Sequence, residues 1–185
     1  PVLIISSFFS SSIVSAWRIL EQLAMVVLLP HSVFSAIAHR DVLKEINEKS
    51  QPDNFKVALD SIWKLRNIGL ILASTAFTFL LLGSSVLFNL LSSNQISWEQ
   101  SYFYIILVLM FAHLLNTGFG HLGILLGVIG DENFMAKTAL TITIIVLCLE
   151  LTFGRFSMIM LAICPLIFNF LWNNALYLRV RSISS

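Results

Sequence analysis

Two stretches of the sequence set polar side chains among apolar ones, where chemistry would be expected. In SAWRILEQLAMVV, Arg18 and Glu21 stand three residues apart, so on a helix they share a face and can pair, and Gln22 extends the patch. An arginine in that setting suits an anionic group such as a phosphate, and a carboxylate suits a proton or a cation. The plainer reading is an interfacial ion pair with no part in function. In HLLNTGFGHLGILLGVIG, His113, Asn116 and Gly120 recur at helical spacing, with Thr117 beside them. Such a cluster can bond substrate hydroxyls or relay protons, and it can equally hydrogen-bond across helices as packing. Gly120, Gly123 and Gly127 let another helix approach closely and make a bend plausible there. Pro30 and Pro165 each remove a backbone hydrogen bond and kink their helices unless neighbours compensate. His31 and His121 are expected to pack, and Glu150 to sit near water at the end of its segment.

Familiar enzyme arrangements do not appear. There is no HExxH, CxxC, GxSxG or P-loop, and His113 and His121 have no carboxylate between them to complete a metal site. Asp131 and Glu132 stand where a helix cap explains them. Cys148 and Cys164 lie inside apolar runs and read as helix-interface filling. No cofactor or metal is expected, beyond a possible coupling ion, H+ or Na+. A net charge of +1 offers no basic patch for nucleic acid.

The elements that position these residues are membrane spans. Hydrophobic residues make up 57% of the chain and charged residues 11%, where a soluble domain carries about 25% charged residues. Mean hydropathy is +0.88. A spanning helix takes about 20 apolar residues. Stretches of that kind run over Ile13–Ala38, Asn67–Leu91, Ser101–Ile129, Ala136–Phe153 and Ser157–Leu178, and Val2–Phe9 reads as the end of a sixth. The runs lack strict alternation and are too long for barrel strands. The fold class is therefore all-α, an integral membrane helical bundle. The opening run carries no signal-peptide features and reads as the tail of a hydrophobic segment whose beginning is missing.

Residues 39–66 form a charged linker. In it Phe55, Leu59, Ile62 and Trp63 recur at helical spacing opposite Lys56, Asp60, Lys64 and Arg66, which predicts an amphipathic helix lying in the interface before the next span. Gln51–Asn54 marks the break before it, with a cap at Asp53 or Asn54, and Gly130 with Asp131 predicts a helix stop and restart. Trp17, Trp63, Trp98 and Trp172 suit an aromatic belt. Nine of the 11 Lys and Arg residues fall on one side, which puts the linker and the C-terminus in the cytoplasm.

The stretch AWRILEQLAMVVLLPHSVFSAIAHRDVLKEINEK resembles the middle of the Wzx-type polysaccharide flippases of the MOP superfamily. LVLMFAHLLNTGFGHLGILLGVIGDENFMAKTAL is similar to that family's tenth helix, and LIFNFLWNNALYLRVR to its twelfth. The resemblance is one of hydropathy and punctuation and covers nearly the whole chain. It implies a single C-terminal lobe over residues 1–185, paired with a missing N-terminal lobe in the bacterial inner membrane. It implies movement of undecaprenyl-pyrophosphate-linked oligosaccharide for O-antigen or capsule, with a polysaccharide polymerase and glycosyltransferases as possible partners. Arg18 would hold the pyrophosphate, and Glu21, His113 and Asn116 would line the cavity between lobes. Two alternatives stand beside it: a MATE-like drug or cation antiporter, and a membrane-embedded subunit or enzyme of envelope synthesis.

Overall fold

A computed structural model describes residues 6–7, 9–48, 54–93, 95–154 and 156–184. The bundle is all-α, and no strand occurs among the described residues. Its elements are α1 (Ser11–Met25), a 3-10 turn (Val26–Leu28), α2 (Leu29–Glu48), α3 (Asn54–Leu91), α4 (Gln100–Phe119), α5 (Leu122–Val128), α6 (Glu132–Phe153) and α7 (Met158–Ser184). Five helical stretches are long and apolar enough to cross a membrane, counting α1 to α2 as one. The partial segment Val2–Phe9 lies mostly outside the described residues.

Two expected spans are interrupted. The first bends at Val26–Leu28, just ahead of Pro30. Proline has no N–H to offer the carbonyl four residues back, and the Leu29 N–H bonds Val26 O instead, tightening that turn into 3-10 geometry. The second, Ser101–Ile129, is cut in two at Gly120, whose φ of 75° lies in the left-handed region that favours glycine. The bend foreseen from the glycine spacing is thus a full break. Gly130, at φ 82°, closes α5 as foreseen. The Asp131 N–H bonds Leu126 O and the Gly130 N–H bonds Gly127 O, the double closure of a left-handed C-terminal cap. By contrast, α7 runs through Pro165 as one helix.

The linker differs from its sequence reading. No separate helix lies in the interface, because the amphipathic stretch is the first third of α3 and continues without a turn through Arg66 and Asn67. At 1.5 Å per residue the 38-residue α3 is about 57 Å long, far beyond a hydrocarbon core of roughly 30 Å. Its apolar stripe faces protein. Ala58 and Ile62 are buried with Val42, Leu122, Leu125, Leu126, Leu176 and Val180, and Phe55, Leu59 and Trp63 pack around them. Of the two expected cap positions, Asp53 falls outside the described residues and Asn54 is the first residue of α3 itself.

The opposite end, called here the far end, has its own core. Trp17, Leu20 and Leu23 of α1 pack with Phe88 of α3, Tyr102 and Ile106 of α4, and Leu161 of α7. Trp17 is fully buried, so it belongs to this core and not to an aromatic belt. Phe88, Trp98 and Tyr102 form a three-ring cluster with centroids 5.2–6.1 Å apart. Along the bundle axis α4 and α7 are joined by amides: Asn173 Nδ2 donates to Asn116 Oδ1 at 3.1 Å, and Asn169 Nδ2 to Ala112 O at 3.0 Å. At the linker end Arg179 makes a two-pronged ion pair with Asp131, 2.6 and 3.2 Å, which ties the end of α7 to the start of α6. Asp131 therefore spends its carboxylate on Arg179 and makes no side-chain cap bond.

Candidate functional site

A lined space opens where α3, α4 and α7 diverge. It is a cavity of about 430 Å³ with Trp63, Arg66 and Leu70 on one wall, Phe111, Leu115 and Gly118 on the second, and Asn174 and Tyr177 on the third. Phe111 and Leu115 also line a second space of about 430 Å³, completed by Leu166, Ile167, Phe170 and Leu171. The two share a wall, so together they make one groove running along α4 and α7. Its polarity is graded. The stretch beside Phe170 is wholly apolar, and the stretch at Trp63 holds a guanidinium, an amide and a phenol. Phe170 (52% exposed) and Phe111 (46% exposed) leave the groove open along its length.

Arg66 sets the chemistry of the polar end. It stands one residue before the apolar run Asn67–Leu91, where the charged first third of α3 ends. Three contacts fix its direction. The Cβ and Cγ of its stem lie against Gly120, where an added Cβ would come within 3.3 Å. Its guanidinium carbon sits 4.5 Å from the centre of the Trp63 ring. Its Nε and one terminal nitrogen donate to Asn67 Oδ1 at 3.0 and 2.6 Å. Among the described residues no carboxylate forms an ion pair with it. A planar cation held in this way, with donors remaining, is suited to the oxygens of a phosphate.

A second polar cluster joins the two broken helices. The His31 ring stacks on the His121 ring with centroids 4.4 Å apart and planes 30° from parallel. Ser35 Oγ lies 2.9 Å from His31 O and 3.1 Å from His121 Nδ1. His31 Nδ1 is buried with no hydrogen-bond partner among the described residues.

The residues singled out in the sequence are scattered. Arg18 and Gln22 are exposed on α1, opposite the buried stripe Ala16–Trp17–Leu20–Leu23, and Glu21 is half-buried. No ion pair links Arg18 to Glu21, although the spacing allows one. All three belong to the far end, away from the groove. Asn116 serves the α4–α7 seam, and the Thr117 hydroxyl bonds back to His113 O at 3.1 Å within α4. His113 is half-buried on α4. Gly123 and Gly127 lie on α5, where added methyls would meet Leu176 and Met135 at ordinary contact distance. Cys164 is buried as expected, but Cys148 is exposed on α6 and fills no helix interface. Glu150 is only 7% exposed, on the same face of α6 as Ile142 and Val146, because a helix buries positions four apart together. His121, expected to pack, does so on the His31 ring and also contacts Ser35 Oγ.

Sequence reasoning passed over Arg66 because it counted as one more linker charge. The available signal was its place at the junction of the amphipathic stripe and the apolar run, beside Trp63.

Fold and groove together define a class: a multi-pass, all-α membrane protein with an amphipathic groove between helices. No protein-family model, curated protein or solved structure matches the chain.

Proposed function

We propose that this chain is one lobe of a membrane transporter that moves an anionic, lipid-linked cargo. The observation that carries the reading is the graded groove, in which Arg66 stands at the polar end and an apolar channel leads away past Phe111, Leu115 and Phe170. A lipid-linked phosphate has that same shape, an anion joined to a hydrocarbon tail. Arg66 binds phosphate oxygens, Asn174 and Tyr177 meet the adjoining polar atoms, and the tail lies along α4 and α7. Broken helices at the binding level are what repeat-built transporters use to rearrange around a fixed site. The resemblance to Wzx-type flippases of the MOP superfamily supplies the finer identity: an undecaprenyl-pyrophosphate-linked oligosaccharide, flipped outward across the bacterial inner membrane for surface polysaccharide. The bias of Lys and Arg favours a cytoplasmic linker, so cargo loads from the side where Arg66 lies.

The test is Arg66→Ala in the protein, with surface glycan and membrane level both measured. Loss of glycan at unchanged membrane level is expected. Arg66→Lys, which keeps a point charge and loses the planar fork, restores part of it. Full surface glycan in Arg66→Ala contradicts the reading. Intact glycan with lost drug tolerance on deleting the protein transfers it to the MATE-like antiporters.

A further inference from the structure

We propose that His31 and His121 form a single proton-binding site that latches the two broken helices together, and that the proton it takes up releases the latch. As the source of coupling to cargo movement, this site rests on the transport reading above; as a proton site, it does not.

The hydrogen-bond network fixes the starting state. Ser35 has one hydroxyl proton, and at 2.9 Å it is donated to His31 O, a backbone oxygen that can only accept. The 3.1 Å contact between Ser35 Oγ and His121 Nδ1 then requires the imidazole to be the donor. Neutral His121 thus carries its proton on Nδ1 and presents the lone pair of Nε2 as the basic site. A proton arriving from water bonds to that lone pair, the ring becomes an imidazolium, and the bond to Ser35 persists.

One proton is the limit. The rings are 4.4 Å apart, so a charge on one opposes a charge on the other. The ionisable groups on the elements around them give no relief. Arg66 of α3, whose stem touches Gly120 next to His121, is another cation. His113 stands about two turns earlier on α4, and on α7 Arg179 is committed to Asp131. Among the described residues no carboxylate bonds either ring. An imidazolium enclosed in this way favours the arrangement in which the rings part and water reaches them. What parts with them is the contact between α2, just past its Pro30 break, and the chain at the Gly120 break. Since Gly120 backs the stem of Arg66, opening the latch also moves the groove's cation.

The experiment is histidine nitrogen NMR of the protein in lipid nanodiscs from pH 4 to 8. A single shared protonation step is expected, with His121 in the Nδ1–H tautomer before it. His121→Gln moves the midpoint of His31, and Ser35→Ala, a milder change, leaves both rings in place and mixes the His121 tautomers. Two independent titrations near the free value of about 6.5, with neither variant shifting the other ring, overturn the proposal. So does the absence of any titration. A shared step in a protein that moves no lipid-linked glycan retires the transport reading and leaves the proton site standing.

Discussion

The two ends of the bundle are built on different plans. At the far end, helices α1, α3, α4 and α7 converge on a core of large side chains, and the Phe88–Trp98–Tyr102 cluster fills the space between α3 and the start of α4. At the linker end the chain breaks at Gly120, α5 is a seven-residue insert, and the groove opens between α3, α4 and α7, while the 3-10 turn at Val26–Leu28 still packs Val27 into the far core. The apolar core there is made by linker residues folding back on α5 and α7, and polar contacts (His31–His121, Arg179–Asp131) add to it. Close-packed aromatic cores resist small deformations, whereas an end whose apolar core is joined to the rest by a few polar contacts can adopt a second arrangement when those contacts change. In the proposed transport cycle the far end serves as the pivot and the linker end as the part that rearranges.

Several substitutions put that contrast at risk, and they differ in size. Trp17→Ala removes a fully buried indole from the far core and lowers stability by about 3–5 kcal/mol, read as a fall in melting temperature in detergent. An effect below about 1 kcal/mol there would mean that the far end is not the packed pivot. Gly120→Ala forces a side chain into a left-handed residue and against the Arg66 stem, costing about 1–2 kcal/mol. Its loss of export should exceed what its stability alone explains. Replacing Asn173 by Leu breaks the bond to Asn116 and loosens the α4–α7 seam by about 0.6 kcal/mol, the usual worth of an interhelical hydrogen bond in a membrane protein. Asp131→Asn, paired with Arg179→Gln, tests whether the bridge holds the last turns of α7. Faster proteolysis of the C-terminal end in either single variant is expected, with export little changed. Arg18→Ala should do least, since Arg18 is exposed at the end opposite the groove. If it abolishes export while Arg66→Ala does not, the assignment of the two ends is reversed.

Much of this was readable in the residues. Hydropathy and length gave the spans, Gly130 gave the stop after α5, and Pro30 and the glycine run marked the segments that break. These features are local, so a sequence carries them. What failed depended on partners far away in the chain. The stripe Phe55–Leu59–Ile62–Trp63 reads as membrane-facing until Val42, Leu122 and Leu176 are brought against it. Arg18 and Glu21 have the right spacing, but α1 buries the opposite face. Arg66 looked like one linker charge among several, and only the approach of Gly120, 54 positions along the chain, turns it into the head of a groove. His31 and His121 are likewise unremarkable until two helix breaks bring them together.

The most direct test of the central claim places a photo-crosslinking phenylalanine at position 170, in the apolar half of the groove, and at position 144, on an exposed apolar face of α6. Both go into the protein, and irradiation is done in native membranes. The groove account predicts capture of a lipid-linked oligosaccharide at position 170, lost in Arg66→Ala, with ordinary phospholipid captured at position 144. Equal capture of ordinary phospholipid at both positions, indifferent to Arg66, would contradict it.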